Sequence, residues 1–173
     1  MKIILMGYMG CGKSTIGSQL SKILGYQFLD LDTYIEVKEN QSIPEIFSNK
    51  GEIYFRKKEH NYLKELLEMN ESLVVALGGG TPCYGNNLQL ILGTDNAKSV
   101  YLKLSISSLV KRLELEKNNR PVISHLKTKE DLTEFIGKHL FERSPYYSQA
   151  NEIINVDGKS VDDIVETIVL KLF

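Results

Sequence analysis

Lys13 and Ser14 close the run Gly7-Tyr8-Met9-Gly10-Cys11-Gly12-Lys13-Ser14, which fits the pattern G-x-x-x-x-G-K-[ST]. Glycines at these positions let backbone N–H groups turn inward toward phosphate oxygens. An ammonium and a hydroxyl placed behind them suit the outer phosphates of a nucleotide triphosphate and a Mg2+ ion. A helix that starts at Lys13 adds about half a positive charge at its N-terminus to the same cradle. Such a cradle does not name a reaction, because kinases, GTPases, motors and sensors share it, so the acceptor has to be read from other residues.

Acidic, basic and glycine-rich positions elsewhere supply candidates. In Tyr26-Gln27-Phe28-Leu29-Asp30-Leu31-Asp32 the two aspartates alternate with an apolar residue. On an extended chain both would point to one side at the carboxyl end of a strand, the edge at which parallel sheets bind ligands. Asp30 would then hold Mg2+ through its water shell, and Asp32 would face an acceptor hydroxyl and take its proton. The other reading is that both carboxylates cap a helix beginning near Thr33. Gly78-Gly79-Gly80 follows a buried apolar run and reads either as close backbone approach to a ligand or as a flexible turn. Phe55-Arg56-Lys57-Lys58-Glu59 lies on an amphipathic stretch where a charge run is ordinarily a solvated face. Arg143, in Arg143-Ser144-Pro145-Tyr146-Tyr147, ends another helical stretch, whose dipole it could merely complement.

The elements that would position these residues follow from hydrophobic periodicity. Residues 2–7 read as a buried strand, and Ile16, Leu20, Ile23 and Leu24 recur at helical spacing until Gly25 stops the helix. A strand over 27–31, helical sequence, a long amphipathic helix from about 51 to 69, and strands over 72–77, 97–102 and 152–156 follow. Each strand is apolar enough for a parallel sheet covered on both faces, the architecture of an α/β sandwich. Residues 116–128, rich in Asn and Lys, read as a mobile loop.

Composition sets bounds on partners and compartment. The chain has 173 residues, 42% hydrophobic and 25% charged, as expected of one soluble domain. A net charge of −1 with scattered Lys and Arg leaves no basic footprint, so no nucleic-acid partner is expected. The apolar run at 3–6 is too short for a signal segment or a membrane span, and no membrane association is expected. Cys11 and Cys83 are too few for a disulfide framework and lack metal-ligand spacing, which points to reduced thiols in a cytoplasm. Cys11 itself is open to two readings: a thiolate favoured by the helix N-terminus and Lys13, or a small side chain turned into the protein.

Taken together, Gly7 to Thr15, Asp30-Leu31-Asp32, Phe55-Arg56, Gly78-Gly79-Gly80, Arg120-Pro121 and Arg143-Ser144-Pro145-Tyr146-Tyr147 stand in the order they have in shikimate kinases, and the chain resembles that family over almost its whole length. The resemblance implies a three-layer α/β sandwich with a five-stranded parallel sheet in the style of the P-loop nucleoside-monophosphate kinases. One domain would span 1–173, with a substrate-binding helical region at about 31–65 and a lid at about 113–128. It implies a monomeric enzyme that uses ATP and Mg2+ to phosphorylate the 3-hydroxyl of shikimate, on the route to chorismate and the aromatic amino acids. By the same resemblance Gly10, Cys11, Gly12, Lys13, Ser14, Thr15 and Arg120 bind ATP, and Ser14 ligates Mg2+ with Asp30 acting through water. Asp32, Arg56, Gly79 and Arg143 bind shikimate, and Asp32, Lys13 and Arg120 carry the catalysis. The chemistry agrees, since a carboxylated ring with three hydroxyls calls for cationic forks and an acceptor.

The match has departures. Val122-Ile123 follows Pro121 where the family more often has two leucines, and the tail near Asp157-Gly158-Lys159 does not align with the family's adenine-contacting segment. Arg112 stands either at the adenine edge or as a solvated charge. A gluconate kinase-like enzyme on the same scaffold and a non-catalytic shikimate-binding sensor are the competing readings. The triple glycine and the arginine motifs count against the first, the intact Lys13 and Asp32 against the second.

Overall fold

All residues of β1 (Lys2–Met6) and β3 (Leu73–Ala76) are buried, as apolar runs must be when helices cover both faces of a sheet. The computed structural model describes residues 1–116 and 121–173. After β1 come α1 (Lys13–Leu24), β2 (Gln27–Asp30), α2 (Leu31–Glu39), α3 (Ile43–Glu68) and β3. A short 3-10 turn (Thr81–Cys83), α4 (Asn87–Leu92), β4 (Ala97–Lys103), α5 (Ile106–Glu116), α6 (Pro121–Ser124), α7 (Lys129–Tyr147), β5 (Glu152–Asn155) and α8 (Val161–Leu172) complete the order. The five strands align as β2-β3-β1-β4-β5, and each neighbouring pair is parallel. This is the P-loop nucleoside-monophosphate-kinase arrangement, with helices on both faces.

From β1 the chain goes out to the edge strand β2, returns to place β3 between them, then crosses to β4 and β5 on the other side. The crevice at the carboxyl ends of the strands flanking that reversal is where open α/β sheets bind ligands. Three helices start on reciprocal capping boxes, Ser42 with Glu45, Thr128 with Asp131 and Ser160 with Asp163.

The elements differ from the expected ones in three places. β2 ends at Asp30, because the Asp30 carboxylate accepts hydrogen bonds from the backbone N–H groups of Asp32 and Thr33 and so starts α2 at Leu31. The long amphipathic helix begins at Ile43, with a non-helical kink at Gly51 (φ 82, ψ 172) where periodicity placed its start. Within 116–128, Pro121–Ser124 form a helical turn that buries Ile123 completely. Residues 117–120, and with them Arg120, lie outside the described residues.

Glu39, at the end of α2, accepts hydrogen bonds from Tyr54 and Tyr62 of α3 at 2.6 Å each and pairs with Lys58 at 3.0 Å. Tyr34 and Lys38 of α2 reach Glu65 of α3, both at 2.8 Å. Polar clasps thus hold together the helical pair beyond β2. Among the described residues no helix is long and apolar enough to cross a membrane.

Candidate active site

The turn from β1 into α1 has the shape its glycines permit. Gly12 caps α1 at φ 101, a left-handed conformation that a side chain would strain. Lys13 folds its ammonium back across the loop, where Nζ donates to the carbonyls of Gly7 at 2.8 Å and Tyr8 at 3.0 Å. Ser14 Oγ donates to Asp30 Oδ2 at 3.0 Å. Of the two readings the sequence left open for Asp30, the helix cap is what one carboxylate oxygen provides, while the other meets Ser14. Ser14 and Asp30 offer a pair of hard oxygen donors, and among the described residues no group of three or more His, Cys, Asp or Glu forms a closed cage. Such an open set fits Mg2+, which keeps several waters and completes its shell on phosphate.

Asp32 sits in the first turn of α2 rather than on an extended strand. Burial, followed by the neighbouring charges of Asp30 and Glu59, pushes its carboxyl up to about 6, against the opposing pull of Lys13. A carboxylate held at that value is suited to accept a proton near neutral pH.

None of Gly78, Gly79 and Gly80 has a positive φ, so their backbone could be that of any residue. What excludes a side chain is space. A Cβ on Gly78 would stand 2.8 Å from Asp32 Oδ1, one on Gly79 would stand 3.2 Å from Arg143 Nη1, and one on Gly80 would stand 3.2 Å from Arg56 Nη2. Each glycine leaves room for one of the charged side chains singled out from the sequence. The triple glycine forms a hydrogen-bonded turn, closed by the Thr81 N–H on the Gly78 carbonyl at 3.1 Å, and its bare surface is a wall that admits a carboxylate and two guanidinium groups side by side.

Partners behind that wall hold the Arg56 guanidinium and the helix that carries Arg143. Arg56 Nη1 pairs with Glu59 at 2.9 Å, and Glu59, 1% exposed, also accepts from Thr81 Oγ1 at 2.8 Å. The helix bearing Arg143 is tied down twice: Tyr147 donates to the carbonyl of Gly79 at 2.5 Å, and Tyr8 meets His139 Nδ1 at 2.9 Å. Burial raises the Tyr147 hydroxyl far above its ordinary value and pushes the Tyr8 hydroxyl up to about 12, so both remain neutral at physiological pH.

Gly10, Gly12, Lys13, Ser14, Thr15, Asp30, Asp32 and Gly79 line one cleft of about 350 Å³, together with Arg112 and Glu116. Arg56 and Arg143 do not line the cleft: Arg143 stands against Gly79, which does, and Arg56 one glycine farther on, against Gly80. Arg112, left open above, donates from Nη1 to the carbonyl of Gly10 at 3.2 Å and so belongs to the phosphate loop's edge. Cys11 goes the other way. Its side chain is 1% exposed and packs beneath Gly7, so the expectation of an accessible thiolate among the phosphates gives way to a buried core residue. Sequence reasoning did not single out Glu59, Thr81 or His139. Glu59 carried a signal, since it follows Arg56 at the i,i+3 spacing of a helical ion pair. Thr81 and His139 carried none, because their partners are distant in the chain.

Comparison with known proteins agrees with this geometry. The family model described as shikimate kinase matches residues 9–173. A curated shikimate kinase of Flavobacterium johnsoniae is 53% identical over 167 residues, covering 96% of each chain. The solved shikimate kinase of Bacteroides thetaiotaomicron superposes with a TM-score of 0.89 at 35% identity over 99% of both chains. That of Acinetobacter baumannii in complex with shikimate gives 0.83 at 31% identity, covering 99% of this chain and 92% of that one.

Proposed function

This chain belongs to the shikimate kinase family, and from that premise we propose that it transfers the γ-phosphoryl group of ATP to the 3-hydroxyl of shikimate, forming shikimate 3-phosphate and ADP. The observation that carries the reading is the triple-glycine wall, where Asp32, Arg143 and Arg56 stand against successive glycines beside the phosphate loop. Two guanidinium groups at the far end suit the acceptor's carboxylate, and the carboxylate at the near end suits a hydroxyl that must lose its proton.

In this reading the loop's backbone N–H groups and the start of α1 receive the phosphates, while the Lys13 ammonium offsets charge on the group being transferred. Asp32 orients the 3-hydroxyl and takes its proton as the oxygen attacks, with Arg56 and Arg143 fixing the ring so that the hydroxyl faces the phosphate loop. Ser14, with Asp30 through water, would hold Mg2+. Bound there, the ion would neutralise the phosphate oxygens. Arg120 is assigned to the phosphates by family resemblance alone. The enzyme is expected to act as a monomer, and two cysteines, too few for a disulfide framework, suit a cytoplasmic protein.

Gluconate kinase and sensor readings are not favoured, given relatives that are shikimate kinases and a site with both Lys13 and Asp32 in place. A coupled ADP-release assay with shikimate, gluconate and quinate offered in parallel tests the proposal. Release that depends on shikimate is expected. Release with gluconate or quinate in its place, or with none of the three, would refute it.

A further inference from the structure

Arg56 carries more support than an ion pair needs. Its guanidinium carbon lies 3.6 Å from the centre of the Tyr84 ring, close enough for the planar cation to rest on the aromatic face. The Phe55 ring is farther, at 5.1 Å. Nη1 donates to Glu59 at 2.9 Å, whereas buried Nε, 3.5 Å from a Glu52 carboxylate oxygen, makes no hydrogen bond among the described residues. Nη2 is the nitrogen that faces Gly80. Stacking leaves in-plane N–H groups available, so a ring against one face and a carboxylate on one edge orient the remaining edge without using it up.

The loop that carries Tyr84 is built to keep it there. Thr81 is bonded to Glu59, Asn87 Nδ2 donates to the Thr81 carbonyl at 2.9 Å, and His60 Nδ1 meets Asn87 Oδ1 at 2.7 Å. The Asn87 N–H donates to the Tyr84 carbonyl at 3.3 Å. Arg56, Glu59 and His60 all belong to α3. One helix therefore supplies the guanidinium and also grips both flanks of the loop that covers it. Gly80 makes the arrangement possible, because a Cβ there would stand 3.2 Å from Arg56 Nη2 and 3.3 Å from Tyr84 Cε2. Tyr84 itself is 38% exposed, so core packing does not account for an aromatic residue at this position.

The geometry points to Tyr84 as a positioning residue for the acceptor: its ring fixes the plane of Arg56 so that the free edge of the guanidinium meets the carboxylate of the acceptor. This inference rests on the reading of Arg56 as an acceptor-carboxylate ligand. Tyr84 acts through Arg56 and takes no part in proton or phosphoryl transfer. Its loss should therefore appear in the acceptor's KM and leave kcat and the KM for ATP nearly as they are.

The test is steady-state kinetics on the full chain with shikimate as the varied acceptor, for the parent, Tyr84→Ala, Tyr84→Leu, Tyr84→Phe, Arg56→Ala and the Arg56→Ala/Tyr84→Ala pair. Tyr84→Ala is expected to raise the KM for shikimate about tenfold, within the range of an aromatic–cation contact. Tyr84→Phe keeps the ring and should restore the parental KM to within about twofold, whereas Tyr84→Leu, which keeps an apolar side chain without a π face, should not. In the Arg56→Ala background the second substitution should leave kcat/KM for shikimate unchanged. An unaltered KM in Tyr84→Ala, rescue by leucine as complete as by phenylalanine, or an additive loss in the pair would each overturn the inference. If Tyr84→Ala does not fold, the contrast between leucine and phenylalanine still decides it. A parent inactive with shikimate would instead overturn the proposed function, which separates the two failures.

Discussion

At the scale of single residues, Asp32 carries opposing consequences for activity and stability. As the proposed proton acceptor it should be needed for turnover, so Asp32→Asn is expected to lower kcat by about 10²-fold or more while sparing ATP affinity by calorimetry. Its carboxyl is raised from 3.8 to about 6 in the fold, chiefly by burial. A group whose pKa rises on folding contributes stability that is present below its unfolded pKa and lost as pH climbs through the folded value. At pH 7 the ionised Asp32 is therefore a burden on the fold, of at most about 3 kcal/mol. Asp32→Asn should melt higher than the parent at pH 8 in a chelating buffer, and the gain should shrink toward pH 4. A variant that melts lower at pH 8 would contradict the burial argument.

At the scale of elements, the clasp between α2 and α3 is the feature most open to test. Hydrogen bonds from Tyr54 and Tyr62, then the Lys58 ammonium, hold the Glu39 carboxyl down at about 2, and its side chain is only 5% exposed. A carboxyl depressed on folding contributes stability that is present above its unfolded pKa and lost as pH falls through the folded value. Glu39→Gln should cost about 1–3 kcal/mol at pH 7, the scale of hydrogen bonds to a charged group. The deficit should narrow between about pH 4.5 and pH 2. Urea unfolding at both ends of that range measures it, and a deficit independent of pH would place the loss in packing instead. Since α2 begins at the cap beside Asp32 and α3 carries Arg56, the KM for the acceptor should rise as well.

At the scale of the whole molecule, α7 joins the two halves of the site. Tyr8 reaches its middle from the phosphate loop through His139, and Tyr147 at its C-terminus holds the carbonyl of Gly79. His139 also packs its ring against Phe135, which in turn meets His125 just past α6. Tyr8→Phe removes the first hydrogen bond and leaves His139 Nδ1 without its partner, at a cost of about 1–2 kcal/mol. Burial and the Arg143 charge lower the pKa of His139, so the imidazole is neutral at pH 7 and the loss should be the same at pH 7 and pH 8.5. Thermal melts at the two values check this, and a loss confined to one of them would show that an ionised histidine takes part.

What the sequence determined by itself was whatever depends on neighbours along the chain. The phosphate loop is contiguous, so Lys13 and Ser14 could be singled out from spacing, and the continuous apolar runs of β1 and β3 announced a sheet covered on both faces. Asp30 and Asp32 were legible as a pair of acids with strand end and helix cap both open, because capping is decided by whether a side chain captures N–H groups just ahead of it, and an extended chain reads equally well. The charge run around Arg56 looked like a solvated face because the ring of Tyr84 and the glycine that admits it arrive from another element. Likewise Cys11, whose sequence neighbours favour a thiolate, is turned beneath Gly7 by the path of the loop. Only the tertiary structure brought Asp32, Arg143 and Arg56 against three successive glycines. Spacing along a chain fixes which groups can share a face of one element, whereas contacts between elements follow from strand order and helix packing, which the whole core sets at once.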